Sequence, residues 1–122
     1  MDLEKREVLV MRSSNNRKIL NLTPHDVHIM MEDGTTVTIP SSGVARCSET
    51  EHLVGRVNGI PVMEKHFGAV EGMPPINGDT IYIVSMLVAR NLAKQDNVVF
   101  PNDVVRDLKG AIVGCRSFAR YQ

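Results

Sequence analysis

The chain has 122 residues, the length of a single domain, and 43% of them are hydrophobic, which allows a core without disulfides or metal ions. Its 14 Lys and Arg balance 14 Asp and Glu, so net charge gives no reason to expect DNA, RNA or an anionic membrane as partner. No segment reaches the length of a membrane span, and residues 1–16 lack the apolar core of a signal peptide. We therefore expect a cytoplasmic protein, with Cys47 and Cys115 as reduced thiols.

The first part of the chain predicts short strands separated by turns. Residues 1–17 are charged except for Val8-Leu9-Val10, and are predicted to be an edge strand or an arm outside a single domain of residues 18–122. Apolar and polar residues then alternate, as in half-buried strands. Asn58-Gly59 predicts a two-residue hairpin, because both residues tolerate a positive φ. The strands predicted in this part cover residues 18–22, 26–31, 35–40, 44–48, 53–57 and 60–67.

A buried strand leading into a helix is the clearest signal in the second part of the chain. Residues 80–84 are β-branched or aromatic, and predict a strand. Ser85 then offers a side-chain oxygen to the first free amides of a helix over residues 86–95, whose polar residues form one stripe. Residues 68–78, rich in Gly and Pro, predict a loop. Further strands are predicted at residues 98–100, 103–106 and 111–120.

Together these elements predict a β-rich α+β domain. We expect a bent antiparallel sheet or a small open barrel, with one amphipathic helix packed on it.

Residues with catalytic or metal-binding chemistry form no recognisable motif. His25 and His28 are predicted to lie on opposite sides of a strand, and His52 and His66 on separate strands, so we expect no metal site and no cofactor. His25-Asp26 and Ser85 offer a base, its orienting carboxylate and a nucleophile, but the nucleophile-elbow motif is absent. Residues 68–78 match neither the P-loop nor the dinucleotide-binding pattern. We therefore expect that the protein is not an enzyme.

A small set of residues suits the binding of a phosphorylated nucleoside. Arg106 and Asp107 adjoin a predicted turn, where a guanidinium can bind phosphate and a carboxylate can accept from ribose hydroxyls. Tyr82 offers a ring for stacking a base, and Asn91 on the helix offers a donor and an acceptor for a base edge. Arg56, beside the Asn58-Gly59 turn, can close over phosphates. The alternative for each is a solvated surface charge or a core tyrosine.

An ordered series of motifs gives the chain a resemblance to a family of small phage, prophage and bacterial proteins. The resemblance runs from about residue 18 to residue 120 and leaves the first seventeen residues outside. The motifs that carry it are N-L-T-P-H-D-V at residues 21–27, S-S-G-V-A-R at 41–46, V-G-R-V-N-G-I-P-V at 54–62, G-A-V-E-G-M-P-P at 68–75 and T-I-Y-I-V-S-M-L-V-A at 80–89.

The chain is also similar to phage Thoeris anti-defence sponges. That resemblance implies a protein that holds a cyclic ADP-ribose-type immune signal without cleaving it. It also implies a homo-oligomer, a dimer or larger, with pockets between subunits. On this chain the resemblance would place the stacking aromatic, the Asn and the Arg-Asp pair at Tyr82, Asn91, Arg106 and Asp107, and Arg56 is a further ligand-binding residue expected from the sequence itself. Two alternatives remain open: an enzyme that degrades such a nucleotide with His25 or His66 as base, and a protein-binding or virion-associated module.

Overall fold

Eight strands and one helix make up the computed structural model, which describes residues 17–92 and 94–121. The arm predicted for residues 1–17 therefore lies, apart from Arg17, outside the described residues. In chain order the elements are β1 (Lys18–Asn21), β2 (Val27–Met30), β3 (Thr36–Ile39), β4 (Arg46–Val57), β5 (Ile60–Glu71), β6 (Thr80–Ile83), α1 (Met86–Asn91), β7 (Val98–Arg106) and β8 (Ile112–Ala119).

The main sheet has six strands in the order β1-β6-β7-β8-β2-β3, and β4 and β5 form a separate two-stranded sheet. The α+β class and the single helix on a bent, open sheet are confirmed. The main sheet is mixed, however, where antiparallel pairing was expected. Strand β6 pairs in parallel with β1 and β7, and β2 pairs in parallel with β8. Parallel pairs need long connections, and the excursion through β4 and β5 supplies one between β1 and β6.

The two ends of the main sheet approach each other at the segment that follows β3. Asn21 at the end of β1 forms an isolated parallel bridge with Ser41. The amide of Ser42 donates to the Asn21 carbonyl at 2.8 Å, and the amide of Ala45 donates to the Leu22 carbonyl at 2.9 Å. The sheet is therefore strongly bent, and this segment leads directly into β4.

The core lies on both faces of β6 and β7, because successive strand residues point to opposite faces. Tyr82 and Val84 pack with Val88 of the helix on one face. Ile83 packs on the other face with Val27 and Cys115, among others. The strand that leads into the helix is thus the centre of the fold.

The helix begins as the sequence predicts and ends earlier. Ser85 is the N-cap, and its hydroxyl accepts from the Val88 amide at 3.2 Å. The helix stops at Asn91 rather than at residue 95, with Leu92 already extended. The side-chain Nδ2 of Asn91 donates to the Leu87 carbonyl at 2.9 Å. Side chains that form hydrogen bonds with the nearby backbone favour helix ends. No helix of the described residues is long and apolar enough to cross a membrane.

Two longer strands replace the short ones predicted in the middle of the chain. Strands β4 and β5 have 12 residues each and are joined by the Asn58-Gly59 turn, whose φ angles of 50° and 81° confirm the predicted hairpin. The register shifts between Leu53 and Gly55, which leaves Val54 as a β-bulge. We call the β4–β5 hairpin (residues 46–71) the arm from here on; it is distinct from the N-terminal arm predicted for residues 1–17.

Strand β7 also continues through a predicted break at Pro101. Pro101 pairs with Phe118 of β8, whereas β6 ends at Ile83, opposite Val99. On the β6 side, no strand of the described residues pairs with β7 at this position. The lack of an amide proton in Pro101 therefore costs no hydrogen bond there.

The two cysteines are free thiols, as predicted. Cys115 is buried, and burial raises the pKa of its thiol, whereas Cys47 is half-buried with its Sγ 3.9 Å from the Leu87 carbonyl oxygen. Both positions are those of small core residues.

Candidate functional site

Tyr82 is part of the core and not of an open pocket. Its side chain is 2% exposed. Its hydroxyl donates to the Pro75 carbonyl at 3.2 Å and accepts from the Asn77 amide at 3.1 Å. Because the ring is buried and the hydroxyl has two partners, Tyr82 presents no open face on which a base could stack. The tyrosine instead fixes residues 72–79, the loop between β5 and β6, to the strand.

Replacing Tyr82 with phenylalanine should lower the free energy of unfolding by about 1–2 kcal/mol, because the Asn77 amide and the Pro75 carbonyl lose their partner. Urea denaturation followed by circular dichroism measures this. Tyr121→Phe is the matched control, since the Tyr121 hydroxyl has only a 3.5 Å exposed contact with Arg90, and should cost less than about 0.5 kcal/mol. Equal stability of Tyr82→Phe and the natural chain would show that these hydrogen bonds do not hold the loop.

Arg106 and Asp107 share one turn, and both side chains bond to its backbone. The Arg106 guanidinium donates to the Gly110 carbonyl at 2.7 Å. Asp107 Oδ1 accepts from the amides of Lys109 and Ala111 at 2.9 and 3.0 Å. The first role of Asp107 is thus to close the β7–β8 turn, and the Arg106 guanidinium keeps unused donors facing solvent.

Asn91 and Arg56 lie on other parts of the surface. Asn91 is exposed at the end of the helix, with one amide proton used for the Leu87 carbonyl. Arg56 is near the tip of the arm, where its guanidinium lies 3.5 Å from the Gly59 carbonyl oxygen. Within residues 17–92 and 94–121, no hydrogen bond or salt bridge joins Arg56, Asn91 and the Arg106 turn to one another. Of the predicted set, Arg106 and Asp107 therefore share one turn, and Arg56, Asn91 and Tyr82 lie on other elements.

The residues of the enzyme alternative are also engaged in structural contacts. Ser85 caps the helix through its hydroxyl. Asp26 Oδ1 accepts from the Ser41 amide at 3.4 Å, and the His25 carbonyl accepts from Asn21. Among the described residues, no hydrogen bond connects the His25 ring to Asp26 or to Ser85.

The arm is the most exposed part of the described chain. Every residue from 49 to 69 is exposed, so neither face of the arm packs against the main sheet over that length. Within the described residues, the arm contacts the core at its base, through Cys47 and Val70, next to the buried Ala45. Apolar side chains nevertheless occur on both faces. By the pairing register, one face carries Leu53, Met63 and Phe67, and the other carries Val57, Ile60 and Val62.

Three side chains with metal-ligand chemistry meet on the arm. His66 Nε2 lies 2.9 Å from Glu64 Oε1, and His52 Nε2 lies 3.7 Å from the same oxygen. The two imidazole rings are stacked, with centroids 5.3 Å apart and planes 8° from parallel. The sequence pattern predicts no such cluster, because it places the two histidines on separate strands without a pairing register.

The sequence carries only part of the signal for this cluster. Glu64 and His66 alternate on one strand, but the mirror position of His52 across the Asn58-Gly59 turn is Lys65, so the bulge in β4 is needed to bring His52 opposite Glu64.

Comparisons with known proteins give no further information on the arm or on the Arg106 turn. Comparison of the chain with protein-family models, with curated proteins and with solved structures found no match.

Proposed function

We propose that the protein is a non-catalytic, oligomeric binding protein that sequesters a nucleotide immune signal of the cyclic ADP-ribose type between copies of the chain. The exposed arm is the observation on which this proposal mainly rests. The anti-defence role, and action in the cytoplasm of the infected host, follow from the motif resemblance described above.

The arm supports self-association on physical grounds. A two-stranded hairpin alone is at best marginally stable in water, and further strands or packing are needed to hold it. This hairpin carries large apolar side chains, with Ile60 65% exposed and Leu53 48% exposed. A second copy that covers one face would bury the apolar side chains of that face, and dimers with two-fold symmetry are the commonest assembly of small proteins.

The exposed polar groups support a phosphorylated ligand. Neither Arg56 nor Arg106 forms a salt bridge within the described residues, so both guanidinium groups have donors available for phosphate. Asn91 retains its amide oxygen and one proton for a base edge. Phe67 on the arm is 43% exposed and takes over the stacking role expected of Tyr82. These residues lie on separate elements, and the proposed pocket would combine groups from more than one copy.

Retention of intact ligand tests the proposal directly. The untagged protein is mixed with cyclic ADP-ribose isomers and, separately, with cyclic oligonucleotides, and its melting temperature is measured. The complex is then filtered, heat-denatured, and the released molecule identified by mass spectrometry. A raised melting temperature with release of the unchanged nucleotide is expected. A product of altered mass would favour the enzyme, and no shift with any of these nucleotides would refute the ligand.

Charged substitutions on one face of the arm should disrupt both assembly and retention. Leu53→Glu with Met63→Glu should weaken self-association at least about 30-fold, because paired charges would be buried at the interface. Light scattering coupled to size exclusion measures the mass of the assembly, and filtration measures the retained nucleotide. Leu108→Glu is the control, since Leu108 lies fully exposed at the β7–β8 turn. If the double variant keeps the mass of the natural chain, this face of the arm is not the interface.

A protein-binding module is the second candidate, and the open edges of the arm favour it. Among the described residues, strands β4 and β5 pair only with each other, so each presents an edge to which a partner could add a strand. A monomeric natural chain that retains no nucleotide and forms a stable complex with one purified phage or host protein would support this candidate over the first.

A further inference from the structure

We propose that His52, Glu64 and His66 form a binding site for a divalent transition-metal ion of the Zn²⁺ class, on one face of the arm and with one coordination position open. This proposal is independent of the nucleotide ligand and of self-association.

The backbone places the three side chains on one face. His52 of β4 is directly opposite Glu64 of β5 in the antiparallel register. Glu64 and His66 are alternate residues of the same strand, so their side chains point to the same side. Directly opposite pairs have Cβ atoms about 4.5–5.5 Å apart, which is within the reach of imidazole and carboxylate groups that share an ion.

The donor atoms already have a separation close to that of a metal site. Ligand atoms in a tetrahedral zinc site lie about 2.0–2.1 Å from the ion, and hence roughly 3.3 Å from one another. The two distances from Glu64 Oε1, 2.9 Å to His66 Nε2 and 3.7 Å to His52 Nε2, bracket that value. All three donors lie within 4.8 Å of one another. Side-chain rotations that turn the two stacked imidazole rings toward each other would bring the three donors onto one ion.

The chemistry of the donors selects the class of ion. Two imidazole nitrogens and one carboxylate oxygen suit Zn²⁺, and related ions such as Co²⁺ and Ni²⁺, whereas Mg²⁺ and Ca²⁺ prefer oxygen ligands. Three protein ligands leave the fourth tetrahedral position for water or another donor. The side chains of His52, Glu64 and His66 are all more than half exposed, so an ion can reach them from solvent.

The site has a structural consequence as well. An ion held by both strands would cross-link β4 and β5 in the exposed part of the arm, which does not pack against the main sheet within the described residues. Metal binding should therefore raise the stability of the hairpin, since the ion binds the paired strands and not the separated ones.

Zinc titration of the untagged full chain tests the proposal. Competition against a chromophoric chelator should show one equivalent of Zn²⁺ per chain. Glu64→Gln and His66→Ala should each weaken the affinity at least about tenfold, since even the partners of metal ligands are worth 10–100-fold. His25→Ala is the control, because it removes another exposed histidine outside the arm and should leave the affinity unchanged.

Two further measurements distinguish a metal site from a hydrogen-bonded His–Glu–His cluster. Bound Co²⁺ should give the visible absorption of a four-coordinate ion in the natural chain and lose it in His52→Asn with His66→Asn. Circular dichroism in the presence of a chelator checks that each variant keeps the fold of the natural chain. Zinc affinity that is undetectable in the natural chain, or that is the same in the natural chain and in the double-histidine variant, would overturn the proposal.

Discussion

Replacing Asn21 with alanine should lower the free energy of unfolding by about 3–5 kcal/mol, the largest loss that we expect from any single hydrogen-bonding residue. Asn21 is completely buried. Its side-chain Nδ2 donates to the backbone carbonyls of His25 and Ile39, each at 2.9 Å. Its side-chain Oδ1 accepts from the backbone amide and the hydroxyl of Thr23 at 3.0 and 2.7 Å. Alanine would remove four hydrogen bonds, two of them to backbone carbonyls on separate segments.

Urea denaturation of Asn21→Ala and of Asn102→Ala measures this effect. Asn102 is exposed and donates once, to Ser117 at 3.0 Å, so its loss should cost less than about 0.5 kcal/mol. If the two variants were equally stable, the Asn21 network would not hold the ends of the sheet together. The result bears on the N-L-T-P-H motif, because its first residue organises the turn and the approach of β1 to the segment after β3. The structural role of Asn21 gives a physical reason for that motif.

Replacing Gly72 with alanine should cost about 2–4 kcal/mol, from backbone strain and a steric clash together. Gly72 has a φ of +81°, and a Cβ at this position would lie 2.3 Å from the Val44 carbonyl oxygen. The left-handed conformation alone costs a non-glycine residue about 1–2 kcal/mol. Since Gly72 and Val44 adjoin the base of the arm, relief of the clash must move the chain where the arm leaves the core.

Gly59→Ala separates the two contributions. Gly59 also has a φ of +81°, but no atom lies within 4 Å of the position that a Cβ would take there, so only the strain applies. Thermal denaturation of both variants should place Gly72→Ala well below Gly59→Ala in melting temperature. Equal losses would mean that the base of the arm yields freely to an added methyl group.

Local signals in the sequence predicted the parts of the fold that depend on neighbouring residues. Ser85 is followed by a helical pattern and caps it, and Asn58-Gly59 forms the turn that its φ preferences require. The burial of Tyr82 was not predictable in the same way. A strand that is buried on both faces shows no alternation, so the sequence does not reveal whether its tyrosine faces a pocket or the core.

The candidate site depended on register, which local signals do not give. The polar segment from Ser48 to His52 has weak strand propensity, and it becomes strand by pairing with β5. Asn91 and Arg106 are on the surface as predicted, but their positions relative to Arg56 depend on how the whole sheet bends. The sequence therefore indicated which residues have suitable chemistry, without indicating which of them meet.

The bulge at Val54 determines which side chains of β4 lie on which face of the arm. Gly55 pairs with Val62, and continuing that register toward the base without a bulge would put His52 opposite Lys65. His52 would then lie on the face opposite to Glu64 and His66, because a shift of one residue exchanges the two faces of a strand. An ion that needs all three side chains would therefore select the bulged ladder over the regular one. Metal binding at the middle of the arm would in this way set the strand register toward its base.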